Sequence, residues 1–191
     1  MLLERLSTQL GLTGSSRFEA DHADPGPSLS TLVLLHYPKH NDATAPTNVG
    51  HLKHTDISTL TLVLAQQWGL QFLSPETNRW EFLEPRPGHA IVNVGDFLRF
   101  KSGGELASIV HRVIPLKERQ DEDRYSIVYL IRTNDDVSFN DSTGKTWTAK
   151  EWHDLKYDVF TSPTTFDAKG QILTAMMEEN DRMVVREGIT S

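Results

Sequence analysis

The stretch GHLKHTDISTLTLVLAQ sets an imidazole and a carboxylate two residues apart, at His54 and Asp56, just before a Thr/Leu/Val-rich run. On a β-strand, residues i and i+2 face the same side, so the pair can share a metal, hydrogen-bond, or face solvent together. Further along, ASIVHRVIP adds His111 after a Gly-rich turn. Two imidazoles and one carboxylate offer iron(II) three ligands, and on one face they leave three octahedral positions open. In RYSIVYLI, Arg124 and Ser126 again stand two apart, so both can face one interior. A guanidinium inside a small β structure needs an anionic partner, because an unpaired buried charge is costly. A dicarboxylate would supply one.

Elements must bring these residues together. LLERLSTQLGL spaces Leu2, Leu3, Leu6 and Leu10 for one helical face, with Gly11 as its stop. After a linker rich in Asp, Gly, Pro and Ser, short apolar or alternating runs predict strands near 30–37, 49–56, 60–65, 69–73, 79–83, 90–93, 97–101, 107–114 and 124–131. SPETN, PRPGH and KSGGE mark turns between them. Many short strands at this spacing predict a sandwich, jelly roll or barrel rather than an alternating βαβ fold. Beyond Asn134, TAKEWHDLKYDVF spaces Trp152, Leu155 and Val159 in helical fashion, with Thr148 and Glu151 placed for a capping box. We expect one domain over 1–191, its β core at about 30–133 and a helical or irregular segment at about 134–191.

Composition narrows the chemistry. A formal net charge of -7, with Lys and Arg scattered, argues against a sequence-independent hold on nucleic acid or an anionic membrane and favours a small organic partner. With no cysteine there is no disulfide, Cys-ligated zinc, Fe–S cluster or thiol nucleophile. Any metal falls to His, Asp or Glu. No apolar run approaches the roughly 20 residues of a bilayer span, and MLLERLSTQLGL carries charge where a signal peptide has its apolar core. The expected location is the cytoplasm.

The order H-x-D, a later His, then R-x-S resembles the 2-oxoglutarate- and iron(II)-dependent dioxygenases, in particular their isopenicillin N synthase-like branch. HTDISTLTLVL, WGLQFL, Trp80, PRPGHAIVNVGDFLRFKSGGELASIVHRV and RYSIVYLI follow the family pattern in sequence from about Thr31 to Ile131. The resemblance implies a mainly β fold, a double-stranded β-helix or distorted jelly roll, with flanking helices at both ends. It implies His54, Asp56 and His111 as iron ligands, with Arg124 and Ser126 on the distal carboxylate of 2-oxoglutarate. Tyr37 matches a tyrosine that in many relatives also reaches the co-substrate. Many of those relatives read Asn-Tyr-Tyr-Pro there, where this chain has Leu35 and His36 before Tyr37.

The implied reaction consumes 2-oxoglutarate and oxygen, releases succinate and carbon dioxide, and oxidises a C–H bond of a small metabolite. Hydroxylation, desaturation, ring closure and demethylation are its recurrent outcomes, and specialised metabolism its usual setting. An iron oxidase that dispenses with 2-oxoglutarate, as isopenicillin N synthase does, and a shortened non-catalytic family member that binds a partner are the alternatives. Members of this branch carry about a hundred further residues before the first helix, so an apolar face covered by a second copy or a partner chain is expected.

The remaining candidates take structural roles. Strand register turns His51 away from His54, and His22, His40 and His153 sit in polar or helical surroundings that favour the surface. His36 and His89 read as hydrogen-bonded structural residues, and Asn93 and Asp96 as makers of a turn around Gly95. Trp147, Trp152 and Tyr157 read as core before lid.

Overall fold

The computed structural model describes residues 1–24, 26–39, 50–114, 122–161, 171–179 and 182–183. Alternation governs its two longest strands, β1 (Thr31–Tyr37) and β8 (Arg124–Ile131), which pair antiparallel from Thr31 opposite Leu130 to Tyr37 opposite Arg124. The shorter strands are β2 (His51–His54), β3 (Leu60–Ala65), β4 (Leu70–Leu73), β5 (Trp80–Phe82), β6 (Ile91–Val94) and β7 (His111–Val113). They form two four-stranded antiparallel sheets, ordered β1-β8-β3-β6 and β2-β7-β4-β5. Apart from β4 and β5, which pair directly, sequence neighbours alternate between the sheets, as in a jelly roll.

The segment 97–101, expected as a strand, is the helix α2 (Asp96–Lys101). Its start signals explain the difference: extended Gly95 precedes it, Asp96 lies in the first turn, and Arg99 and Lys101 lie in the last. A helix also serves the core better. Phe97 packs with Phe139 and Trp152 while the adjacent Leu98 packs with Phe18 and Leu60, so α2 joins two apolar clusters.

Helix α1 (Leu2–Gln9) lays Leu3 and Leu6 on the Phe18, Leu60 and Leu98 cluster, with Leu10 just beyond the helix joining them, while Leu2 is exposed. Two 3-10 turns, Gly14–Ser16 and Phe18–Asp21, follow it. Beyond the sheets, β9 (Ser138–Asn140) and β10 (Thr146–Thr148) form a hairpin that the sequence reading missed, ahead of α3 (Ala149–Thr161). The expected cap is present: Glu151 N–H donates to Thr148 Oγ1 at 3.2 Å, and Thr148 N–H donates to Glu151 Oε2 at 2.8 Å. A second two-stranded pair, β11 (Glu178–Glu179) with β12 (Arg182–Met183), lies near the end. Trp152 is core, as expected, and Tyr157 is exposed.

Candidate metal and co-substrate site

Cross-strand pairing makes the metal face. β2 and β7 pair antiparallel with His54 directly opposite His111, where cross-strand side chains are close neighbours. Asp56 follows two residues beyond His54, buried, and turns its carboxylate toward both rings. Its Oδ1 lies 3.4 Å from His111 Nε2 and 3.7 Å from His54 Nε2. Ligating atoms of all three residues lie within 4.8 Å of one another, so the set can hold one metal ion.

The other imidazole nitrogens define the tautomers. His54 Nδ1 contacts the Leu52 carbonyl at 2.7 Å and His111 Nδ1 the Ile109 carbonyl at 3.0 Å. A carbonyl only accepts, so each Nδ1 carries a proton and each Nε2 of a neutral ring presents its lone pair inward. Electrostatics suit a cation here. Burial would raise the pKa of Asp56, but the neighbouring His111, and then His54, outweigh it and hold the carboxylate well below its usual range. Burial opposes charge on His111 too, yet Asp56 prevails and raises its pKa. Burial and then His111 lower that of His54.

Several residues without an assigned role hold this turn. Asn93 donates from Nδ2 to Asp56 Oδ2 at 3.3 Å, the Asp96 amide donates to the Asp56 carbonyl at 2.9 Å, and Arg132 Nε donates to the Ile57 carbonyl at 2.6 Å. Asn93 and Asp96 therefore do more than shape a turn. Asn93 reaches Asp56 from β6 and Asp96 from the first turn of α2, so both contacts join residues some forty apart in sequence and leave no local mark.

On the other sheet, Arg124 and Ser126 are both buried on the inner face of β8, with Tyr37 opposite Arg124 in register. The Arg124 guanidinium carbon lies 5.1 Å from the Tyr37 ring centre. Its Nε donates to the Trp68 carbonyl at 3.1 Å, while Nη1 is buried with no hydrogen-bond partner among the described residues. Burial lowers the pKa of Arg124 and raises that of Tyr37, each opposed by the other. Glycines let the second sheet close on this pair. At Gly69, where φ is +131°, a Cβ would stand 3.0 Å from Arg124 Nε; at Gly50, just before β2, it would stand 2.7 Å from the Tyr37 ring.

His51 departs from expectation. A register shift in β2 between His51 and His54 cancels the alternation, and their rings meet edge-on with centroids 4.8 Å apart. Phe160, near the end of α3, packs 4.8 Å from His51 and 5.8 Å from His54. Burial, then His54 and His111, push His51 down to about 3. His22 is likewise no surface residue: it bonds the Phe18 carbonyl at 2.8 Å and Thr59 Oγ1 at 2.9 Å. His36 stacks on Tyr125, His89 bonds the Pro87 carbonyl, and His153 stacks on Tyr157, all away from the triad. His40 lies outside the described residues.

A jelly roll that presents two imidazoles and a carboxylate on one sheet end, and a buried guanidinium on the facing sheet, defines a class, the non-haem iron(II), 2-oxoglutarate-dependent dioxygenases. The profile of the 2OG-Fe(II) oxygenase superfamily matches residues 28–133. The chain is 50% identical over 181 residues to the 2-oxoglutarate-dependent dioxygenase iboH of Amanita muscaria, a match covering 93% of this chain and 86% of that one. It is 48% identical over 183 residues to the oxidoreductase vrtI of Penicillium aethiopicum, covering 95% of this chain and 44% of that one. The crystal structure of a full-length Neurospora crassa protein in complex with alpha-KG and thymine superposes with a TM-score of 0.65 at 26% identity, covering 78% of this chain and 49% of that protein. The chain belongs to the 2OG-Fe(II) oxygenase superfamily, although it spans less than half the length of vrtI and of the Neurospora protein.

Proposed function

We propose that residues 1–191 act as one catalytic domain in which His54, Asp56 and His111 hold iron(II), Arg124, Ser126 and Tyr37 hold 2-oxoglutarate, and a small organic metabolite is oxidised at a C–H bond. The observation that carries this reading is the convergence of three ligating atoms within 4.8 Å, each imidazole turned Nε2-inward by its own Nδ1 hydrogen bond. Bound iron(II), with 2-oxoglutarate and oxygen, supplies the oxidation and releases succinate and carbon dioxide.

The chain's own residues supply the rest. Asp56 stays ionised, so the face offers a negative ligand at neutral pH. The Nη1 of Arg124, without a hydrogen-bond partner among the described residues, supports capture of a carboxylate as a charge-assisted bond, with the Ser126 hydroxyl two residues along the same face and the Tyr37 ring against the guanidinium. Phe160 and His51 pack against the ring of His54 and brace it from that side. Thymine in the Neurospora crassa complex supports a small-molecule substrate. A cytoplasmic location and a role in specialised metabolism belong to the same proposal, as does cover of the apolar outer face of the β1-β8-β3-β6 sheet by a second copy. Separation of membrane from soluble fractions checks the location.

Anaerobic titration with iron(II) and 2-oxoglutarate tests the site. The expected result is the weak visible charge-transfer band of a chelated keto acid, diminished in Arg124→Ala. Iron binding without the band would favour an oxidase that dispenses with 2-oxoglutarate, and failure to bind iron would overturn the metal assignment.

A further inference from the structure

The turn that carries two of the proposed ligands is anchored from far along the chain. Thr55, between His54 and Asp56, is fully buried at 0% exposure. Its N–H donates to the Leu173 carbonyl at 3.0 Å. Its carbonyl and its Oγ1 each accept from Lys156 Nζ at 2.9 Å. The third Lys156 proton goes to Asp96 Oδ2 at 2.6 Å, so an ammonium only 1% exposed has three acceptors for three donors. Asp96 in turn accepts from Trp152 Nε1 at 3.1 Å and donates its backbone N–H to the Asp56 carbonyl at 2.9 Å. The carbonyls of Thr55 and Asp56 are thus both fixed to Asp96, one through Lys156 and one through a main-chain amide.

Stability alone is a weak reason for this arrangement, because well-packed apolar residues stabilise a core as well as a buried ion pair does. What the ammonium adds is direction: it fixes both the carbonyl and the hydroxyl of the residue that lies between two proposed ligands. We infer that Lys156, paired with Asp96, is a positioning residue for the iron site, holding the peptide between His54 and Asp56 so that metal affinity and the docking of α3 are coupled. The coupling is reciprocal: whatever docked α3 contributes to metal binding, bound metal returns to α3. The inference rests on the ligand assignment proposed above.

Cobalt(II), which needs no exclusion of oxygen, is the probe. The double variant Lys156→Met with Asp96→Asn leaves no unpaired buried charge, so it separates positioning from charge burial. The expected result is cobalt affinity weaker by about 10- to 100-fold, the range for lost outer-sphere support, and a changed ligand-field spectrum, with far-UV circular dichroism and metal-free melting close to the parent. A folded variant with the parent's affinity and spectrum overturns the inference. Hydrogen exchange on the unaltered chain decides the matter even if the variant does not fold: cobalt must slow amide exchange along α3, and unchanged exchange there overturns the inference. A parent that binds no cobalt overturns the ligand assignment itself, a result distinct from either.

Discussion

A buried guanidinium facing a tyrosine ring is half satisfied: Arg124 has the Trp68 carbonyl and the Tyr37 face, and Nη1 has no partner among the described residues. A charge-assisted bond there contributes about 1.5–3 kcal/mol, so Arg124→Ala should raise the apparent Kd for 2-oxoglutarate by roughly 10- to 100-fold. Metal affinity should hold, because Arg124 belongs to the sheet opposite the triad. Isothermal titration with each ligand separates the two effects; an equal loss of both would mean that the substitution disturbs the fold. His22 offers a second test. It is neutral, donating from Nδ1 to Phe18 and accepting at Nε2 from Thr59, and burial lowers its pKa against the pull of Phe18, Asp21 and Glu19. A folded pKa below the unfolded value of about 6.5 means that the unfolded chain binds more protons below that pH. Its stabilising contribution is therefore full above about pH 6.5 and lost as pH falls through the folded value. Metal-free melting should fall from pH 7.5 to 5.5 more steeply in the parent than in His22→Gln; equal slopes would show that protonating His22 costs the fold nothing.

At the scale of elements, what the sequence revealed depended on length and on period. RYSIVYLI alternates long enough at its start to fix both strand and face, so the placing of Arg124 and Ser126 is legible in the sequence. FLRFK is too short for its period to decide, and the decisive signals were Gly95 and Asp96 before it. The shift that turns His51 onto His54 leaves no mark in GHLKH, because a bulge is a property of the pairing with β7 rather than of β2 alone. Lys156 did leave one: it stands four residues after Trp152 on the buried stripe of α3, where a lysine has to find an acceptor. The cap of that helix was read correctly, which permits a prediction. Thr148→Ala removes the acceptor for Glu151 N–H, at a cost of about 1 kcal/mol. In a chain of this size that corresponds to a melting point lower by roughly 2–4 °C. Calorimetry on the metal-free protein measures it, and an unchanged midpoint would show that the cap is replaced by solvent without loss.

Over the whole molecule, one sheet face is only partly covered. Leu60, Val94 and Ile131 lie under α1 and Phe18, but the same face continues into solvent along four strands. Register aligns Leu32 with Tyr129, and Leu34 with Ile127 and then Leu64, while Val92 extends the row at the far edge. Leu34 is 73% exposed and Leu32 62%. A contiguous apolar patch of this kind marks an association surface more often than a solvated one. A second copy would cover it at the expense of the repulsion between two chains of charge -7, which salt screens. Sedimentation velocity should therefore show self-association that strengthens with protein concentration and with salt. Leu34→Lys combined with Ile127→Lys should shift the protein to monomer. Iron and 2-oxoglutarate binding should survive, because both positions point away from the inner face that bears Arg124 and Ser126. A parent that stays monomeric at high concentration and takes up no apolar dye would remove the second copy from the proposal and leave the site untouched.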